Sequence, residues 1–146
     1  MKDVGAFGTI FDEQGRVLLV RQTYKGFKWA WPGGVVEETE APWTAAIREV
    51  KEETGLDVEI VRLISIYHVA DRNSLGFQFL CRVIGGELRV DGREISHAEF
   101  FDPAHLPAPM TLPGRQRVAD ALANAEQPIL REFSTVEIVK PELHAD

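Results

Sequence analysis

The chain of 146 residues has one cysteine, Cys81, so no intrachain disulfide can form. That fits a reducing compartment, and the apolar run around Cys81 marks its thiol as buried and inert. No apolar stretch reaches the 18 residues a membrane helix needs, which excludes a helical span. The N-terminus carries Asp3 and Asp12-Glu13 without the apolar core of a secretion signal, so a cytoplasmic location is the default expectation. Net positive charge is absent too. At −7 the chain is a poor partner for nucleic acid or anionic membranes. No repeat or low-complexity tract interrupts it, and its length suits a single domain over residues 1–146, with 128–146 a partly loose C-terminal extension.

The composition, 45% hydrophobic and 27% charged, is that of an ordinary globular protein. The acidity is concentrated, with six glutamates between Gly34 and Leu56. Pro42 suits a first helical turn and Gly55 a left-handed stop, so the spacing predicts a helix from about Ala41 to Thr54. On it Glu49, Glu52 and Glu53 fall within an arc of about 100°. Trp43, Ala46, Ile47, Val50 and Thr54 form the adjoining, core-facing stripe. Two carboxylates about 6 Å apart repel by roughly 2–3 kcal/mol at an effective dielectric of 20. Three together want a cation, and hard oxygen donors suit Mg²⁺ or Mn²⁺. A solvated acidic face is the plain alternative for such a stretch taken alone. Against it stands Trp31-Pro32-Gly33-Gly34, a turn able to bring bare backbone close to a ligand.

Elsewhere, Val4–Phe11 and Arg16–Gln22 read as strands joined by Asp12-Glu13-Gln14-Gly15 into a hairpin. Thr23–Trp31 is a loop with four aromatics in nine residues, Trp29 among them, and an aromatic there can stack on a base. Long strands are predicted over Val58–Val69 and Phe77–Ile84, a short one over Ala98–Phe101, a helix over Gly114–Ala125 and a terminal strand after Pro128. Mixed strands with two helices point to α/β or α+β layering. Arg21, at a strand end, is placed to reach a phosphate, and Asp71 and Arg72 to line a substrate mouth. His68, His97, His105 and His144 show no metal spacing and are expected to be structural or exposed.

Gly34, Glu40, Arg48, Glu49, Val50, Glu52, Glu53, Gly55 and Leu56 together resemble the Nudix box, G-x5-E-x7-R-E-U-x-E-E-x-G-U, at every fixed position. The resemblance implies an α/β/α sandwich with a mixed β-sheet between helices. It also implies an enzyme that hydrolyses the pyrophosphate linkage of a nucleoside diphosphate derivative with Mg²⁺ or Mn²⁺. Carried over by position, Glu49, Glu52 and Glu53 are metal ligands, the Gly33 carbonyl is a further ligand, and Arg48 orients the glutamates. Glu40 is expected to support the loop and helix start. For the general base the family varies, leaving Glu49 or Glu52 in the box, or Glu94, which also stands as a fourth ligand. Gly92-Arg93-Glu94 followed by Glu99 is similar to the loop that carries this group in MutT-type enzymes.

Three subfamily markers are missing. Asp71 occupies the place of the ADP-ribose proline, Arg72-Asn73-Ser74 that of the diadenosine polyphosphate tyrosine, and the NADH-type Ser-Gln-Pro-Trp-Pro-Phe-Pro stretch is absent. The substrate is therefore left among nucleoside triphosphates, oxidised nucleotides and nucleotide sugars, with a slight tilt to triphosphates. A Nudix-fold binding or regulatory module without turnover is the alternative. Homodimers are common in the family.

Overall fold

A computed structural model describes residues 3–24, 26–135 and 137–141. Two five-stranded sheets and two helices make up the fold. The first sheet runs β4 (Gly33–Val35), β1 (Asp3–Thr9), β6 (Ser74–Gly86), β5 (Leu56–Val69) and β9 (Ile129–Phe133). The second runs β10 (Ile138–Val139), β8 (Met110–Thr111), β3 (Trp29–Ala30), β2 (Val17–Gln22) and β7 (Ile95–Phe101). Both are mixed: β1 is parallel to β6 and antiparallel to β4, and β3 is parallel to β8 and antiparallel to β2.

Side-chain alternation along β1 shows the layering. Ala6 faces α1 (Pro42–Thr54), in one core with Ala45, Ala46, Val50, Phe79 and Cys81. Gly8 on the same face lets the helix in close, since a Cβ there would stand 2.7 Å from Val50 Cγ2. Thr9, on the opposite face, belongs to a buried network beneath α2 (Leu112–Ala123). Ser65 donates to Gln78 Oε1 (2.8 Å), and Gln78 Nε2 donates to Thr9 Oγ1 (2.9 Å) and to the Arg117 carbonyl (3.1 Å). The expected mixed sheet between two helices is thus present, and the second sheet is an addition to it.

Three expectations are revised. The β1–β2 hairpin closes only at its base, through the Phe11–Val17 bridge and the Leu18 N–H donating to the Ile10 carbonyl (3.0 Å). Beyond that β1 pairs along its length with β6, and β2 joins the other sheet. The second helix starts at Leu112, because Thr111 caps it by accepting the Gly114 N–H (3.0 Å).

The third revision concerns α1, whose buried side is turned from the predicted stripe by roughly 60° at about 100° per residue. Trp43 is 56% exposed, while Ala45 and Glu53 join the buried set. Two alanines offer the sheet a flatter surface than an indole would, and Glu53 has a partner waiting inside. The expectation that Glu53 stands clear of the core is corrected accordingly.

Candidate active site

Gly55 ends α1 in the left-handed region (φ 78°), where a Cβ would meet the Glu87 carbonyl at 2.3 Å. The Thr54 hydroxyl donates to the Val50 carbonyl (2.7 Å) and accepts from the Leu56 N–H (3.2 Å), locking the same turn. With the helix fixed, the turn at Gly33 comes against its acidic side. A Cβ on Gly33 would lie 2.3 Å from the Ala6 carbonyl oxygen, and one on Gly34 would lie 2.8 Å from Glu49 Oε1. At Gly33 the neighbour is backbone, so only glycine permits that approach. The Gly33 N–H donates to Glu53 Oε1 (3.0 Å).

Arg48 runs beneath the carboxylates. It donates to both oxygens of Glu40 (2.7 and 3.0 Å), to Glu49 (3.0 Å) and to Glu52 (3.3 Å). Glu40 also accepts the Glu37 N–H (3.1 Å), which fixes the loop ahead of the helix. One guanidinium is shared among three carboxylates, and their charge is far from neutralised. Its own pKa is raised, first by the hydrogen bond to Glu40 and then by Glu49.

Glu53 is 9% exposed, and its carboxyl is pushed up to about 8. Burial is the first cause, opposed by the Gly33 N–H and reinforced by the charges of Glu49, Glu94 and Glu52. Glu49 is shifted upward mainly by burial, with Arg48 opposing. Glu94 arrives from the far wall. The Thr23 N–H donates to the Glu94 carbonyl (2.9 Å) and the Thr23 hydroxyl to that of Arg93, tying the 87–95 stretch to the loop of Tyr24. The nearby carboxylates, after burial, raise the Tyr24 phenol as well.

A cleft of about 420 Å³ joins these groups, lined by Gly33, Gly34, Glu49, Glu53 and Glu94 at one end. Of the other predicted site residues, Arg72 and Trp29 line it and Arg21, Asp71 and Glu52 do not. The Glu52 side chain is 58% exposed. Trp29 is largely core, packed edge-on against Phe101 at 4.8 Å. Arg21 is turned away, donating to the Phe27 carbonyl (3.2 Å) and stacked over Trp29 at 5.8 Å. Lys28, Tyr67 and Arg117 also line the cleft without having been singled out from the sequence. Arg117 was hidden because a lone arginine on a helix reads as a surface residue. Only the alternation of β1 and β5 reveals which rings it meets.

Among the described residues no three acidic, histidine or cysteine side chains stand close enough together to enclose an ion. The donor set nonetheless fits a divalent cation. It consists of hard carboxylate oxygens and a backbone carbonyl, and two of its acids are shifted upward by burial and mutual repulsion, a penalty a dication would relieve. His68, His97 and His105 take no part in any such grouping. His144 lies outside the described residues. Cys81 is buried, and burial pushes its thiol up to about 12.

A mixed sheet between helices, with helix-borne carboxylates against a glycine turn, defines a class: α/β/α sandwiches with an acidic helix at the cleft. The NUDIX domain matches residues 1–122, and the chain belongs to that family. It is 39% identical over 104 residues to an ADP-ribose pyrophosphatase of Methanocaldococcus jannaschii, a match covering 67% of this chain and 61% of that protein. The chain thus spans less than two thirds of that relative's length. A MutT-like protein of Streptomyces ambofaciens is 34% identical over 125 residues, 86% of this chain and 80% of its own. The crystal structure of an ADP-ribose pyrophosphatase from Streptococcus suis matches with a TM-score of 0.73 at 27% identity, covering 90% of this chain and 99% of that one. By sequence and by fold the protein is accordingly a Nudix family member. No helix among the described residues is long and apolar enough to cross a membrane.

Proposed function

We propose that the protein cleaves the pyrophosphate bridge of a nucleoside diphosphate joined to a second group, with ADP-ribose the first substrate to try. The carrying observation is that Gly33, Glu49 and Glu53 open on one cleft with Glu94 facing them. Two relatives named for ADP-ribose support the substrate class. A (deoxy)nucleoside triphosphate, oxidised or not, is the second reading. It is supported by the Glu94 loop and by the MutT-like relative.

Glu49, Glu52, Glu53 and the Gly33 carbonyl would hold Mg²⁺ or Mn²⁺, with Glu94 as a further ligand or the base. A bound dication supplies charge neutralisation at the pyrophosphate and a more acidic water. Water forms a new P–O bond as the bridging P–O bond breaks, giving two monophosphates from ADP-ribose. The water's proton passes to a carboxylate, Glu94 or a box glutamate. Arg48 orients Glu49 and Glu52 and holds the loop through Glu40. Arg72 and Trp29 would meet the substrate at the mouth of the cleft, while Arg21 and Asp71, outside the lining, would shape its rim. On this reading the chain acts as one domain in the cytoplasm, without nucleic-acid or membrane partners, and a homodimer, common in the family, is the assembly to look for.

The test is a panel of nucleotide derivatives with Mg²⁺ and with Mn²⁺, products read by mass. AMP and ribose 5-phosphate from ADP-ribose support the first reading; a monophosphate and inorganic pyrophosphate from a triphosphate support the second. Metal binding with no turnover of any compound would leave a non-catalytic binding module.

A further inference from the structure

Arg117 lines the cleft that holds Glu49 and Glu53, but on the far side of Phe7. Its guanidinium carbon is 3.7 Å from the centre of the Tyr67 ring and 5.0 Å from that of Phe7. The same phenyl ring packs against the metal-side turn, since a Cβ on Gly33 would stand 2.5 Å from Phe7 Cδ1. The strand neighbouring Tyr67 is cut back to make room: a Cβ on Gly76 would lie 2.1 Å from Tyr67 Cζ. The backbone of Arg117 is pinned by Gln78 through its carbonyl.

Two polar atoms of this box are unsatisfied. Arg117 Nε and the Tyr67 hydroxyl are both sealed from solvent with no hydrogen-bond partner among the described residues. Asp120, the carboxylate whose charge reaches Arg117, is committed to Arg131 (2.7 Å) and Gln116 (3.1 Å). Burial lowers the pKa of Arg117, and Tyr67 and Asp120 only partly oppose this. Arg117 is half-buried, and a cation taken even partly out of water is costly unless paired; stacking on two rings returns only part of that cost. A guanidinium is also the side chain best suited to bidentate contact with phosphate oxygens. In a chain of net charge −7, such a group inside the reaction cleft is placed for a ligand.

We propose that Arg117 and Tyr67 form an anion subsite for the oxygens of a substrate phosphate lying beyond those held at the acidic helix. The identity of the ligand rests on the hydrolase reading above; the existence of the subsite does not. The phosphate has two possible sources, the second phosphate of a diphosphate bridge or the third phosphate of a triphosphate. Arg117 donates to its oxygens, and the Tyr67 hydroxyl donates beside it.

The experiment is calorimetric titration of the full chain in EDTA with AMP, ADP, ATP and inorganic pyrophosphate, alongside the ligand-free melting temperature. Wild type is compared with Arg117→Met, Arg117→Lys and Tyr67→Phe. Arg117→Met should weaken ADP and pyrophosphate binding at least tenfold and AMP less than twofold, without lowering the ligand-free melting temperature. Loss confined to ATP assigns the subsite to a third phosphate and also supports it. Arg117→Lys should fall in between, and Tyr67→Phe should cost two- to fivefold. Failure of wild type to bind pyrophosphate in EDTA overturns the proposal. So does an Arg117→Met variant that weakens AMP as much as ADP, which would mean base recognition, or one that melts lower with binding intact, which would mean a structural stack. Absence of turnover in wild type with Mg²⁺ would sink the hydrolase reading alone.

Discussion

The two ends of the cleft carry opposite electrostatic problems. At the α1 end, Glu49, Glu53 and Glu94 crowd negative charge with one guanidinium shared among the box carboxylates. At the α2 end, Arg117 is a half-buried cation with aromatic neighbours, and among the described residues the carboxylate that reaches it, Asp120, is committed elsewhere. Each end is unfavourable alone, and neither can relieve the other, because Phe7 stands between them. On the proposed function, a dianionic bridge with its dications would resolve both together. Binding energy would then be stored as unmet electrostatics in the free protein, which is how a site favours a charged transition state over water.

The strongest way to break this comparison is Glu53→Gln. The variant removes a ligand and a charge while keeping an acceptor for the Gly33 N–H, so the fold should survive and turnover should fall about 10³-fold with Mg²⁺. Its pH behaviour sharpens the point. The Glu53 carboxyl is raised from 4.5 to about 8 in the fold, so the unfolded chain gives up that proton first. Metal-free stability from this group is complete below pH 4.5 and is lost as pH rises through about 8. Wild-type melting temperature in EDTA should therefore decline across that window, and that of Glu53→Gln should decline less, the remainder coming from the raised Glu49. Because the ion takes the ionised acid, Mn²⁺ affinity should climb over the same range. A flat wild-type profile would remove the α1 half of the contrast.

Glu94→Gln comes next. Glu94 reaches the cleft from a loop held by Thr23, so the substitution leaves α1 undisturbed. A loss of about 10² in kcat with KM little changed is expected if Glu94 takes the proton. A loss confined to metal affinity would make it a ligand only, and an unchanged enzyme would return the base to the box.

Arg48→Lys should cost about tenfold in kcat/KM. An ammonium cannot span Glu40, Glu49 and Glu52 as the guanidinium does, so the carboxylates lose their common anchor. The effect should appear in kcat and in Mn²⁺ affinity together, measured by steady-state kinetics and equilibrium dialysis.

The acidic half of this contrast was legible in the sequence because its residues are consecutive on one helix and tied to glycines at fixed distances. Spacing alone placed Glu49, Glu52 and Glu53 on one side of the helix, and the family resemblance added Gly33. The helix's rotation was not legible, since an indole at position 43 looks like core and a glutamate at 53 does not. What reversed them was contact across the fold: Gly8 admitting Val50, and the Gly33 N–H receiving Glu53. The basic half was invisible for the same reason on a larger scale. Phe7, Tyr67 and Arg117 sit on three elements, and no periodicity within any one of them announces a box.

Arg21 marks the weakest expected effect and tests whether the cleft has a second cationic wall. By position it stands at the end of β2, a place from which a side chain can reach a phosphate. Its Nε, however, donates to the Phe27 carbonyl and its plane covers Trp29, on the side of the strand facing the Tyr24–Lys28 loop. Releasing it would cost that hydrogen bond and the stack, roughly 1–2 kcal/mol together. Arg21→Ala should then shift KM by less than twofold and lower the melting temperature by a few degrees through a looser loop. A KM rise of tenfold or more with unchanged stability would mean that Arg21 swings into the cleft when substrate binds. The positive end would then extend along β2 and not end at Arg117.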